Sequence, residues 1–327
     1  MITPVSDPSQ VAQARRSVRG FALRHGASEG RAGAIAIVVT ELATNLLKHG
    51  GGGDIVAGRF DDAEGSGIEV LAMDRGPGMT DVARCLEDGY STAGSLGQGL
   101  GSAGRQSDRL RIWSRPGQGT VVVARFVLQP PTGHRLQCSA MVIPYPGETA
   151  CGDQWASADA ASGGVLLLVD GSGHGVEAER AALLAVKTFQ QNNREPGESL
   201  VASMHQALRP TRGAALAVAR IDPAASMVRY TGVGNINGSL ISGGKVSHMV
   251  SHNGTAGHVA PRIREFTYAY TGSPMIVLHS DGLTARWDLA AYPGLIAQHP
   301  SLVAAVLLRD FRRGRDDASV VAARLLG

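Results

Sequence analysis

Residues 164–171, G-V-L-L-L-V-D-G, decide how the second half of the chain folds. The apolar run Val165–Val169 is short and follows glycines, which predicts a buried β-strand. Asp170 and Gly171 come directly after it, so a carboxylate lies at the end of the strand beside backbone that turns easily. A single Asp-Gly pair more often marks a turn than a functional site. The stretch therefore predicts a strand and a turn, and any chemistry depends on whether similar segments recur.

Three more acidic residues lie beside glycines or apolar segments in the same half of the chain. They are Asp153 in C-G-D-Q-W, Asp281 in H-S-D-G-L and Asp316 in R-D-D-A-S-V-V. Carboxylates without a matching set of histidines favour the hard ions Mg²⁺ and Mn²⁺ over zinc. Two such ions ~3.5–4 Å apart activate a water molecule and hold a phosphoryl group for in-line attack. The set predicts a two-metal phosphatase site.

In this order the segments resemble the metal-dependent PPM phosphatases in their bacterial SpoIIE form, over residues 138–327. The resemblance implies two packed antiparallel sheets with helices outside, and two Mn²⁺ or Mg²⁺ ions. It implies that Asp170 bridges both ions as the central catalytic residue, that Asp153 holds the second ion and that Asp281 with Asp316 holds the first. The implied metal ligands are Asp153, Asp170, the Gly171 carbonyl through water, Asp281 and Asp316.

One position departs from this pattern. Larger SpoIIE domains carry a second acidic residue three positions after the first, and here that position is Ala156. The compact RsbX-type phosphatases also lack it, and the segment 232–235, G-V-G-N, resembles them as well. The departure indicates a subfamily. His174, in D-G-S-G-H-G, is expected to cap or pack its loop rather than to take part in catalysis.

The first half of the chain carries a different set of polar residues. Glu41 and Asn45 are four residues apart on a predicted helix that begins near Ser28, so both side chains lie on one face. A carboxamide oxygen can ligate Mg²⁺, and a carboxylate can accept a proton from an attacking hydroxyl group. The alternative is the polar edge of an ordinary amphipathic helix. The pair gains weight from the glycine-rich segments that follow it.

Two such segments follow. The first, D-R-G-P-G at 74–78, comes after a predicted strand at 67–73. It places Asp74 where its carboxylate can accept a hydrogen bond from an adenine amino group. The alternative is a glycine-rich turn. The second, G-S-L-G-Q-G-L-G at 94–101, precedes a predicted helix whose first N–H groups can bind phosphates. Together with Glu41 and Asn45 they form an ordered set over the first 130 residues.

This set resembles the N box and the two glycine boxes of the GHKL ATPase/kinase superfamily, and most of all the small anti-sigma-factor serine/threonine kinases of the RsbT type. The resemblance implies helices on one face of a mixed sheet, bound ATP with Mg²⁺ on Asn45, Glu41 as the catalytic base and Asp74 as the adenine contact. No phosphoacceptor helices precede the domain, which argues against a two-component histidine kinase. The implied nucleotide-binding glycines are Gly76, Gly78, Gly97, Gly99 and Gly101.

Length and composition agree with an α/β protein of two domains. The 327 residues predict a kinase-like domain at 1–130, a linker at 131–137 and a phosphatase domain at 138–327. The net charge of +3 is too small to predict nucleic-acid binding. No apolar run approaches the ~20 residues of a membrane span, and we expect a cytoplasmic protein. Three cysteines without a C-x-x-C pair predict neither a disulfide framework nor a zinc site.

Both halves together predict a bifunctional switch protein of a bacterial signalling pathway. One half phosphorylates a partner of the STAS type, an anti-sigma antagonist, and the other removes the phosphate. The alternatives are a phosphatase with an ATP-sensing domain, or a GHKL module that sequesters a sigma factor or STAS protein without turnover. Glu41 favours the kinase, because binding alone needs no base. The partner, the oligomeric state, the direction of regulation and the choice between Mg²⁺ and Mn²⁺ stay open.

Overall fold

The computed structural model describes residues 1–85, 99–160, 163–260 and 262–326. The chain divides into two compact units, Met1–Thr132 with Pro293–Arg309, and Gly133–Tyr292 with Asp310–Gly327. The domain bounds drawn from the sequence stay a prediction. The compact units differ from them in one respect, since the segment 293–309 lies within the predicted phosphatase domain but belongs to the first unit.

The first unit contains one five-stranded sheet of order β1-β2-β3-β5-β4. Every pairing in it is antiparallel, whereas the resemblance implied a mixed sheet. Hairpin neighbours must be antiparallel, and two helices between β1 and β2 also return the chain in the opposite direction. The elements are β1 (Ile2–Val5), α1 (Pro8–Arg24), α2 (Glu29–Asn45), a π-helical turn (Leu46–Gly50), β2 (Gly53–Asp62), β3 (Gly65–Asp74), α3 (Val82–Cys85), α4 (Gly99–Gln106), β4 (Arg109–Ser114) and β5 (Thr120–Gln129).

The first two helices begin at capping residues, and α2 begins where the sequence predicts, near Ser28. Asp7 caps α1 through a capping box with Gln10, and Ser28 caps α2 by accepting from the Arg31 N–H. The apolar face of α2 packs in the core of the unit, with Ile35, Val38 and Leu42 buried. Glu29–Gly50 has the length and mean hydropathy, 1.2, of a membrane span by composition alone, and this core packing accounts for its apolar character.

The second unit contains two five-stranded antiparallel sheets, ordered β13-β10-β9-β8-β7 and β12-β11-β14-β15-β6. The strands are β6 (Leu136–Ile143), β7 (Asp153–Ala160), β8 (Gly163–Gly171), β9 (Ala214–Asp222), β10 (Met227–Val233), β11 (Asn237–Ser242), β12 (Lys245–Met249), β13 (Glu265–Ala269), β14 (Met275–His279) and β15 (Ala318–Leu325). The helices are α5 (Val176–Asn192), α6 (Gly197–Leu208) and α7 (Pro300–Phe311), of which α7 belongs to the first unit up to Arg309. Short 3₁₀ turns lie at Leu289–Ala291 and Leu295–Ala297.

The apolar run Val165–Val169 is explained by the position of β8 in the first of these sheets. Leu166 and Leu168 face the core between the sheets, while Val165, Leu167 and Val169 pack beneath α5 and α6. A strand that is buried on both faces has no polar alternation. The predicted architecture of two packed sheets with helices outside is confirmed for this unit.

Candidate active sites

Asp153 and Asp170 lie directly opposite each other on neighbouring strands. Asp153 begins β7, Asp170 lies near the end of β8, and the antiparallel register pairs the two residues. Side chains of opposite residues in such a pair are close neighbours on one face of the sheet. Strand pairing therefore brings together the residues for which the sequence predicts a bridging ligand and a second-ion ligand.

Asp281 and Asp316 meet at one end of the other sheet. Asp281 follows β14 by two residues, Asp316 precedes β15 by two, and these strands are antiparallel neighbours. Both side chains line a pocket of about 490 Å³ together with Arg313 and Arg315. The sequence analysis missed both arginines, because nothing in the segment R-R-G-R-D-D shows that it faces the Asp281 loop.

Hydrogen bonds join the loops of the two sheets at this edge. The Ser280 hydroxyl donates to Asp153 Oδ2 at 2.6 Å. Asp317 accepts from the Tyr145 N–H at 2.6 Å and from the Gly152 N–H at 2.8 Å, so it ties the segment before β7 to the start of β15. The neighbouring residue Asp316, by contrast, is exposed. Ser280 and Asp317 therefore hold the candidate ligands in place.

The carboxylates influence one another strongly. Burial, and after it the charge of Asp153 and other neighbouring carboxylates, raises the pKa of Asp170 to about 9. Burial raises the pKa of Asp153 to about 7, although the hydrogen bond from Ser280 acts in the opposite direction. Burial also raises the pKa of Asp281. Buried negative charge collects at this edge, and the positive charge of Arg313 offsets part of it near Asp281.

These residues fit a divalent cation in their chemistry. They offer carboxylate oxygens, the donors that Mg²⁺ and Mn²⁺ prefer. Asp153 Oδ1 is buried and has no hydrogen-bond partner in the described part of the chain. Within residues 1–85, 99–160, 163–260 and 262–326, however, no three His, Cys, Asp or Glu side chains form a closed metal-binding group. The edge therefore gathers donors that suit a divalent cation, without a closed group among the described residues.

Gly171 and His174 lie in the loop that follows β8. A Cβ on Gly171 would lie 2.3 Å from the Ala178 carbonyl oxygen, so α5 approaches too closely for any other residue. The implied metal contact of the Gly171 carbonyl stays a prediction. The His174 ring stacks on Tyr145 with the ring centroids 4.5 Å apart, and its Nδ1 lies 3.2 Å from Glu148 Oε1. Both contacts are those of a side chain that packs its loop.

In the first unit, Asp74 lies at the end of β3 and is 9% exposed. Its Oδ1 accepts from the Gly76 N–H at 2.8 Å and the Thr120 N–H at 3.2 Å. Its Oδ2 accepts no hydrogen bond from the residues that the structure describes. Burial raises the pKa of Asp74. The backbone thus orients a carboxylate whose second oxygen can accept from an adenine amino group.

Glycines allow the backbone to close around Asp74. A Cβ on Gly50 would lie 2.6 Å from Asp74 Cβ, so the π-helical turn after Asn45 reaches the end of β3. Gly78 has φ +71°, and a Cβ there would lie 1.9 Å from the Arg115 carbonyl oxygen. Only glycine fits these approaches. The tertiary structure therefore places the end of the Asn45 helix beside the Asp74 turn.

Glu41 faces a second pocket, of about 570 Å³, on the surface of α1 and α2. The arginines that line it lie on α1 and are exposed, and Ile37 beside them is 49% exposed. The sequence analysis missed this surface, although arginines at 15 and 19 have the helical spacing that places two side chains together. The pocket is lined by Arg15, Arg16, Arg19, Ala36, Ile37, Thr40 and Glu41.

The second glycine box is only partly described. Gly99 and Gly101 lie in the first turn of α4, and the first N–H groups of a helix can bind an anion. Gly97 lies outside the described residues.

Arg309 is a further residue of this region that the sequence analysis missed. It belongs to the segment 293–309 of the first unit and is 6% exposed. Its Nη1 donates to the Asp74 carbonyl oxygen at 2.9 Å, and its guanidinium lies 5.7 Å from the centre of the Trp113 ring. The two partners are 235 residues apart in the chain, a distance at which no local pattern indicates contact.

Comparisons with known proteins match both halves of the chain. The model of the histidine kinase-like ATPase domain matches residues 5–126, and the model of stage II sporulation protein E (SpoIIE) matches residues 162–326. The serine/threonine-protein kinase RsbT of Bacillus subtilis (strain 168) is 37% identical over 90 residues, which are 28% of this chain and 68% of that protein. The predicted fusion of a GHKL kinase-like domain with a PPM-type domain is confirmed.

Two solved structures resemble the phosphatase-like part. One, described under "The bacterial stressosome: a modular system that has been adapted to control secondary messenger signaling", has a TM-score of 0.55 and 25% identity over 58% of this chain and 100% of its own. The other, RsbX in complex with magnesium, has a TM-score of 0.51 and 19% identity over 58% of this chain and 95% of its own. The second likeness shows the fold alone.

Proposed function

We propose that this chain is a bifunctional switch protein, because it belongs to the SpoIIE family through residues 162–326 and to the family of the kinase RsbT through its N-terminal part. Its first unit transfers phosphate from Mg²⁺-ATP to serine or threonine of a protein, and its second unit hydrolyses phosphoserine or phosphothreonine with two Mg²⁺ or Mn²⁺ ions. The observation that carries the proposal is the meeting of Asp153 with Asp170 and of Asp281 with Asp316 at the ends of neighbouring strands.

In the phosphatase, Asp170 and Asp153 would hold the second ion, and Asp281 with Asp316 and Asp170 the first. When bound, the ions supply an activated water molecule and neutralise the phosphoryl oxygens. The chain itself orients the ligands. Ser280 fixes one oxygen of Asp153, and the Asn235 amide donates to Asp281 Oδ2 at 2.7 Å. Because burial and the neighbouring carboxylates raise the pKa of Asp170, metal binding there is coupled to proton release.

In the kinase, Asp74 would accept from the adenine amino group, Asn45 would hold Mg²⁺ and Glu41 would take the proton of the attacking hydroxyl. Such transfer depends mostly on positioning and on neutralising the transferred phosphoryl group. Arg15 and Arg16 of α1, which line the pocket with Glu41, offer positive charge to a protein substrate, while Arg19 pairs with Glu29. An acidic STAS-domain protein in the cytoplasm fits this surface, and the likeness to RsbT and to a stressosome protein supports that class of partner.

The direct test uses a STAS-domain protein and γ-labelled ATP. We expect label on the partner with wild type and with Asp281→Asn, and none with Glu41→Ala, because the variant lacks the base. Gln13→Ala, an exposed change on α1, is the matched control and should transfer normally. With both activities present, wild type should hold the partner at partial phosphorylation, and Asp281→Asn should drive it toward full phosphorylation.

Two outcomes contradict the bifunctional protein. ATP binding without transfer to any STAS-domain protein would make the first unit a nucleotide sensor or a sequestering module. Equal phosphate occupancy of the partner with wild type and with Asp281→Asn would mean that the partner is not a substrate of the phosphatase.

A further inference from the structure

Two arginines share the pocket beside the candidate first-ion ligands. Arg313 and Arg315 are exposed, and with Asp281 and Asp316 they line its volume of about 490 Å³. Neither guanidinium forms a hydrogen bond or an ion pair with any residue that the structure describes. In the described residues, two carboxylates and two guanidinium groups thus line one pocket without hydrogen bonds or ion pairs between them, which leaves the guanidinium donors available to a ligand.

The backbone that carries these arginines is fixed to the Asp281 loop. The Arg313 N–H donates to the Gly282 carbonyl oxygen at 2.9 Å, and Arg312 forms an antiparallel bridge with Leu283. Gly314, with φ +68°, turns the chain between the two arginines. These contacts hold the backbone of both arginines beside the Asp281 loop, and their side chains are exposed.

We propose that Arg313 and Arg315 bind the phosphoryl group of the substrate. This inference rests on the proposed phosphatase and names the class of ligand, a phosphate monoester dianion on a protein side chain. The acidic edge alone repels such a dianion, and a guanidinium offers parallel N–H donors that match phosphate oxygens. The arginines are thus specificity-determining residues, which act on the substrate and leave metal binding unchanged.

The chain offers a matched control for this proposal. Arg312 is adjacent in sequence and carries the same charge, but it does not line the pocket. Arg312→Ala therefore lowers the net charge as much as Arg313→Ala does, and it separates a specific contact from a general loss of positive charge.

The test is calorimetric titration of inorganic phosphate into the Mn²⁺-loaded full chain. Arg313→Ala and Arg315→Ala should each weaken phosphate binding about 10- to 100-fold, the loss expected for a hydrogen-bonded charged pair. Arg313→Lys should retain part of the affinity, and Arg312→Ala should bind as wild type does. Mn²⁺ affinity, measured by titration, should be the same in all variants. With a phosphopeptide, KM should rise more than kcat falls.

Two results overturn the proposal. Phosphate affinity in Arg313→Ala and Arg315→Ala equal to that of Arg312→Ala would remove the arginines from phosphoryl binding. Loss of affinity for an unphosphorylated acidic peptide, with phosphate binding unchanged, would assign them to the partner surface instead. Failure of the phosphatase function itself looks different, since wild type would then neither bind Mn²⁺ nor hydrolyse a phosphopeptide.

Discussion

The two sites differ in how the protein organises them. In the first unit, backbone N–H groups orient Asp74, and glycines allow the chain to close around it without any ligand. In the second, the protein gathers buried carboxylates, and burial together with their mutual charge raises the pKa of Asp170 to about 9 and that of Asp153 to about 7. The comparison indicates that backbone orients the candidate nucleotide site, whereas the candidate metal site is a group of buried carboxylates.

The strongest test of this contrast is Asp170→Asn. We expect phosphopeptide hydrolysis to fall by more than about 100-fold, because this one change weakens the binding of both ions. That loss exceeds the one typical of residues that only orient metal ligands. ATP binding by the first unit should not change. Hydrolysis that persists in chelator-treated wild type would contradict the two-metal mechanism.

The same substitution, Asp170→Asn, also tests how the stability of the metal-free protein depends on pH. The pKa of Asp170 is about 9 in the folded state, above the ~3.9 of an unfolded chain. As pH rises, this carboxyl group therefore loses its proton at a lower pH in the unfolded state than in the folded state. This group therefore destabilises the fold increasingly as pH rises from about 4 to about 9. The melting temperature of metal-free Asp170→Asn should exceed that of wild type at pH 8 and match it near pH 4. Added Mn²⁺ should raise the wild-type value more than that of the variant.

Asp74→Asn tests the candidate nucleotide site. The amide N–H₂ group of the new asparagine can face the adenine amino group, and two donors repel each other. We therefore expect ATP affinity to fall about 10- to 100-fold, the range for a hydrogen bond to a charged group. Asn45→Ala should lose Mg²⁺-ATP in the same range. Calorimetry measures both, and the phosphatase reaction serves as the internal control. Unchanged binding in both variants would remove the first unit from the nucleotide-binding class.

Ser280→Ala and Asn235→Ala test the positioning of metal ligands in the second unit. Loss of a partner that orients a metal ligand typically costs about 10- to 100-fold in metal affinity or activity. We expect Mn²⁺ affinity to fall in that range for each variant, with activity restored at high Mn²⁺. Ser239→Ala, a change of the same kind away from the edge, is a control that should behave as wild type. Activity that high Mn²⁺ does not restore would mean that the hydroxyl or amide has another role.

The smallest expected effect is that of Arg309→Ala. This residue donates to the Asp74 carbonyl oxygen rather than to the nucleotide, so we expect ATP affinity to fall only about 2- to 10-fold, as for one hydrogen bond. Arg309→Lys should retain most of the affinity, and melting temperatures check that the buried change leaves the fold intact. If ATP affinity is unchanged in a folded variant, the contact does not position the Asp74 turn.

Local patterns predicted the elements that have a regular period or a cap. The start of α2 and the strands β3 and β8 follow the sequence closely, because capping residues and apolar runs act over a few neighbouring positions. The strand β12 was missed because its residues up to His248 are exposed and carry no alternation. The helix α7 was missed because its residues from Pro300 to Arg309 are all buried, which leaves no amphipathic stripe to recognise.

The sequence by itself determined the order of the motifs and hence the family of each half, since Glu41 with Asn45 and the four Asp segments are short and local. Only the tertiary structure decided which of them meet. The pairing of Asp153 with Asp170, the arginines beside Asp281, and the contact of Arg309 with Asp74 all depend on strand register and on packing between distant segments. A side chain's local period shows which face it occupies, but what it faces is set by chain segments that lie far away in sequence.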